Sequence, residues 1–115
     1  MEPASGPGGF RYVIWDFNGT LLDDVALCID ILNRMLHRRG LAAVGTEQYL
    51  TLFGCPVADA YQRFGFDPDR YPFDRLAKEY MEEYLPASLR DAGLRKGVNA
   101  ALARFSKAGM RQVVL

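Results

Sequence analysis

One hundred and fifteen residues, half of them hydrophobic, are enough for one compact domain or for part of a larger one. Fourteen basic side chains balance fourteen acidic ones and no basic run occurs, so the sequence carries no footprint for nucleic acid or for an anionic membrane. No apolar run is long enough to span a bilayer, and Cys28 and Cys55, far apart, read as buried thiols of a cytoplasmic protein rather than a disulfide framework or a metal pair.

Residues 1–9 are rich in Gly, Pro, Ser and Ala, with neither the basic start nor the apolar stretch of a secretory signal, so a flexible tail is expected. Tyr12-Val13-Ile14-Trp15 then places two aromatic and two β-branched residues in succession, which reads as a strand buried on both faces. Asp16 stands at its carboxyl end, followed at once by the turn chemistry of Asn18-Gly19-Thr20. In an open parallel sheet, ligands bind outside the carboxyl ends of the strands, the place for an acidic nucleophile or a metal ligand. Asn-Gly admits positive φ, and successive backbone N–H groups in such a turn can converge on an anion. A strand ending in an Asx-type turn capped by Asp16 has the same spacing.

Asp23 or Asp24 can cap a helix running to about Arg39, with Val25, Cys28, Ile29, Leu32, Met35 and Leu36 on one face. Arg38 and Arg39 suit the last turn, Gly40 supplies the stop, and His37 reads as a solvated neighbour. Thr46 is a candidate N-cap for a helix through Phe53, and Pro56 opens another that Gly65 closes. A loop over 66–72 leads to a helix starting at Phe73, whose Tyr and Phe stripe reads as core and which Pro86 is expected to stop. Residues 89–96 read as a charged linker, followed by a short helix from Val98 that Gly109 closes and a second strand toward Leu115.

The segment Asp16-Phe17-Asn18-Gly19-Thr20-Leu21-Leu22-Asp23 resembles the first motif of the haloacid dehalogenase superfamily, usually Asp-x-Asp-Gly-Thr after a hydrophobic strand. Leu94 to Leu102, followed by Lys107-Ala108-Gly109, is similar to the element that leads back into the second core strand in the phosphoglycolate phosphatase-like subgroup with a helical cap. The resemblance implies an α/β fold: a partial Rossmann-like parallel core, with strands near 11–16 and 111–115, and an inserted α-helical cap. The implied organisation is a tail over 1–9, a core over 10–21 and 91–115, and a cap over 22–90.

The chemistry implied is hydrolysis of phosphate monoesters through an aspartyl-phosphate, with Asp16 as nucleophile. The backbone amides of Phe17, Asn18 and Gly19 would hold the phosphoryl group, and Mg²⁺ would bind Asp16 and the backbone carbonyl of Asn18. The partner would be a small phosphorylated metabolite. One residue departs from the pattern: Asn18 stands where the family has its acid–base, and an amide cannot supply that proton. The family's later motifs, a Ser or Thr after the second strand, then a Lys and further acidic metal ligands, would fall beyond Leu115. The chain therefore reads as the amino-terminal part of a phosphohydrolase, with unpaired strand edges open to self-association. A non-catalytic phosphate- or Mg²⁺-binding regulatory module and a helical protein-interaction domain are the alternatives.

Overall fold

A computed structural model of the chain describes residues 7–115; most of the expected tail, 1–6, lies outside them. After a short 3₁₀ turn at Pro7–Gly9 come β1 (Tyr12–Trp15), β2 (Leu22–Asp23), α1 (Val25–Arg38), α2 (Thr46–Leu52), α3 (Val57–Arg63), α4 (Phe73–Asp91), β3 (Gly93–Leu94), α5 (Val98–Lys107) and β4 (Arg111–Val114). The chain divides into two compact units. Residues 7–24 together with Ala92–Leu115 form one, and Val25–Asp91 form the other.

In the first unit β1 and β4 pair in parallel, Tyr12 opposite Arg111 and Trp15 opposite Val114. The expected α/β class and the parallel pairing of these two strands are both present. Helix α5 packs on β4, burying Val98, with Met110 buried at the entry to the strand. Gln112 locks the three elements together: its Oε1 accepts from Trp15 Nε1 at 2.9 Å and its Nε2 donates to the Leu102 carbonyl at 3.0 Å. Trp15 also meets Phe105 edge to face. The expectation that β1 is buried on both faces is corrected. Its burial alternates, with Tyr12 63% and Ile14 68% exposed, because α5 covers one face of the strand pair and leaves these side chains on the other.

Residues 89–96, expected as a linker, are ordered otherwise. Helix α4 continues to Asp91, and β3 pairs antiparallel with β2, Leu22 opposite Leu94. Pro86 does not stop α4. The carbonyl it leaves without an N–H partner belongs to Glu82, which like Pro86 is exposed, while buried Tyr84 and Ala87 hold the helix on either side of the proline. Thr46 is likewise the first residue of α2, and Gly45 is the cap.

The second unit is built on Ile31, Leu32, Met35 and Leu36 of α1, packed with Val44, Ala60, Tyr61, Phe64, Phe66, Leu76 and Tyr84. The buried face of α1 includes Ile31, which the helical spacing had left off it. Asn33 pins the chain after α1 by a reciprocal pair: its amide donates to the Val44 carbonyl at 2.9 Å and its oxygen accepts the Val44 N–H at 2.7 Å. Of the aromatic stripe on α4 expected as core, Tyr84 is buried and Tyr80 partly so, while Phe73 at the helix start is exposed; on α3, burial pushes the Tyr61 hydroxyl up to about 12. Cys28 is half-buried, but Cys55 is exposed, contrary to the expectation of two buried thiols.

Charges join α1 to α4. Arg38 donates to both Glu79 and Glu83, Arg39 donates to Glu79, and Arg34 reaches Glu83. Arg39 also lies over the Tyr71 ring, 4.9 Å from its centroid. The Arg39 hydrogen bond holds the Glu79 carboxyl below the usual glutamate range, and the Arg38 bond does the same for Glu83. His37 is exposed at the end of this network, in the solvated setting expected for it.

Candidate active site

The turn after β1 gathers its amides on one oxygen. The N–H groups of Thr20, Leu21 and Leu22 all donate to the Phe17 carbonyl, at 3.2, 3.0 and 2.9 Å. Gly19 closes the turn at φ +74°, a left-handed conformation that costs a side-chain-bearing residue roughly 1–2 kcal/mol. That is the physical reason for Asn-Gly at this point. Asn18 and Leu22 also bridge in parallel, drawing the turn back against the start of β2. Asp16 is exposed at the carboxyl end of β1, and its carboxylate accepts from the Thr20 hydroxyl at 3.4 Å. Asp16, Phe17, Asn18 and Gly19 thus share one tight turn.

Two further residues complete it. Asp24, only 3% exposed, accepts from the Asn18 side-chain amide at 3.5 Å, and its other oxygen lies 3.9 Å from where a Cβ on Gly19 would stand. Arg95 approaches from the residues after β3. Its guanidinium donates to the Gly19 carbonyl at 2.9 Å and its backbone N–H donates to the Leu21 carbonyl at 2.8 Å. Sequence reasoning took Asp24 for a helix cap and Arg95 for a linker charge. The doublet Asp23-Asp24 was a faint signal for the first; nothing local marks the second, which lies 76 residues from its partner.

The donors at the turn are hard oxygens, from the Asp16 carboxylate and from backbone carbonyls. No group of three or more His, Cys, Asp or Glu side chains gathers anywhere among the described residues. No helix among them is long and apolar enough to cross a membrane.

An exposed carboxylate at the end of a parallel strand, with a left-handed glycine three residues on and a hydroxyl turned back to it, is specific enough to compare with known proteins. Residues 13–115 match the family of haloacid dehalogenase-like hydrolases. The chain belongs to that family. The N-acetylmuramic acid 6-phosphate phosphatase of Pseudomonas putida is 32% identical over 101 residues, which cover 87% of this chain and 45% of that protein. The crystal structure of a predicted phosphoglycolate phosphatase from Haemophilus somnus superposes with a TM-score of 0.73 at 18% identity, over 96% of this chain and 52% of that one. A predicted phosphatase from Clostridium acetobutylicum gives 0.70 at 18% identity, over 90% of this chain and 48% of that one. These two structures speak for the haloacid dehalogenase fold. The chain spans about half the length of the relatives it matches.

Proposed function

We propose that the chain carries the nucleophile of a haloacid dehalogenase-like phosphatase acting on a small phosphorylated metabolite. The observation that carries this reading is Asp16: an exposed carboxylate at the end of β1 that accepts from the Thr20 hydroxyl of the turn that follows. An Asp16 oxygen attacks phosphorus, the ester P–O bond breaks, and the leaving oxygen departs with the bonding pair and takes its proton from water, while the phosphoryl group stays on Asp16. Water then attacks that phosphorus, orthophosphate departs, and the carboxylate is regenerated. The amides of Phe17, Asn18 and Gly19 take the phosphoryl oxygens, and Thr20 fixes the Asp16 rotamer.

Mg²⁺ fits the donor set, since it commonly takes one or two carboxylates and completes its shell with water and substrate phosphate. Asp16 and the Asn18 carbonyl would hold it. When bound it would neutralise charge developing on the phosphoryl oxygens. The helical unit plays the part of the substrate-selecting cap, about residues 22–90. A sugar phosphate is the substrate class suggested by the name of the Pseudomonas relative. Two thiols without a disulfide fit a cytoplasmic setting.

Asn18 favours a second reading, a phosphate- or Mg²⁺-binding module without turnover. General acid–base catalysis is worth roughly 10²–10⁴-fold, and this amide, tied to Asp24, provides none. Steady-state assays on an alkyl and an aryl phosphate separate the two. The phosphatase reading predicts that the aryl ester, whose phenolate leaves without a proton, is the better substrate and that Asp16→Ala abolishes its slow turnover. Equal rates for wild type and Asp16→Ala on both esters would leave only the binding module.

A further inference from the structure

We propose that Arg95 is a phosphate-binding residue of this site, a role that rests on the reading of the Asp16 turn as a phosphoryl cradle. The guanidinium is fixed in place rather than dangling, because backbone and side chain of the same residue are both anchored on the turn, at the Leu21 and Gly19 carbonyls. Only one of its five N–H groups is used there. No other hydrogen bond or ion pair of the Arg95 side chain exists among the described residues, and the residue is exposed. The cation is therefore bonded to the very residue whose N–H is assigned to the cradle.

Charge points the same way. Asp16 and Asp24 both lie at the turn, and a phosphate dianion entering beside them is favoured by a cation fixed there, in addition to any Mg²⁺ held by Asp16. Among the described residues, Arg95 is the one cationic side chain hydrogen-bonded to the turn. A planar guanidinium with paired N–H groups suits phosphate oxygens, and such charge-assisted bonds exceed neutral ones in strength.

The test is an amide-resolved NMR titration of the 115-residue chain with inorganic phosphate in magnesium chloride buffer, comparing wild type, Arg95→Gln and Arg95→Lys. Gln lacks the charge and ends two atoms short of the guanidinium nitrogen that meets Gly19; Lys retains the charge without the fork. In wild type, phosphate is expected to shift the amides of Phe17 to Gly19. Arg95→Gln should weaken that binding about tenfold or more, with Arg95→Lys between the two. Phosphate-free spectra should show only small shifts confined to the amides beside the Gly19 carbonyl, with the turn retained in both variants. Undiminished affinity in Arg95→Gln would overturn the role of Arg95 while leaving the cradle intact. Weakened binding with a displaced turn, unrelieved by Arg95→Lys, would make Arg95 a structural prop and also overturn the proposal. Absence of any phosphate shift at residues 17–19 in wild type would remove the cradle itself, and the proposal with it.

Discussion

At the scale of single residues, the site is a chain of small dependencies, and Asn18 with Asp24 is the most telling of them. A nearly fully buried carboxylate needs donors, and the Asn18 amide is one of them at 3.5 Å. Asp at position 18 would set a second carboxylate against the first, and like charges at that distance repel. Asn18→Asp is therefore expected to destabilise the chain by about 1–3 kcal/mol at pH 7, and Asp24→Asn added to it should recover most of the loss. Thermal denaturation of both single variants and the double variant measures the coupling. Additive effects would show that the two side chains do not sense each other. Asp16 and the Asn18-Gly19 turn were legible in the sequence because their logic is local: a strand end, a positive φ, a returning hydroxyl. Asp24 and Arg95 were not, because what defines each is a contact made across the fold.

Among the elements, helical periodicity recovered α1, α3 and α5 nearly to the residue, and hydrophobic runs recovered β1 and β4. The misreadings have one cause, tertiary contacts outweighing local preference. Helix α4 passes through Pro86 because Tyr84 and Ala87 are buried, and residues 93–94 become a strand because Leu22 and Asp23 offer a partner. The link between α1 and α4 is electrostatic and so depends on pH. Glu79 and Glu83 have folded pKa values below their ordinary value of 4.5, each chiefly through an arginine hydrogen bond. Their contribution is complete above pH 4.5 and is lost as pH falls through the depressed values. Stability should therefore drop below pH 4.5 in wild type and drop less steeply in Glu79→Gln/Glu83→Gln. That variant should itself be about 1 kcal/mol less stable at pH 7, a modest figure because Arg38 is half-exposed. Chemical denaturation across pH 3–7 compares them, and parallel profiles would discount the network (about one pH unit per step suffices).

On the scale of the whole molecule, the first unit has an unfinished sheet. Among the described residues β1 and β4 pair only with each other, and Tyr12, Ile14 and Val113 expose apolar surface on one face. Unpaired edges and an uncovered apolar face drive association, so the isolated 115-residue chain should sediment as a concentration-dependent oligomer, and Ile14→Lys should shift it toward monomer. A wild-type monomer at all concentrations would contradict that. Relatives of about twice the length share the fold, and the chemistry read here is centred on the one carboxylate this chain presents at the end of β1. The most direct test of that claim is to trap the phosphoryl group. After incubation with an aryl phosphate and magnesium, borohydride reduction converts an aspartyl-phosphate to homoserine, which peptide mass spectrometry then locates. Because Asn18 gives no base for hydrolysis of the intermediate, the label should accumulate, at position 16 and nowhere else, and Asp16→Asn should abolish it. Homoserine at another position, or none at position 16 after prolonged incubation, would contradict the assignment of Asp16 as the nucleophile.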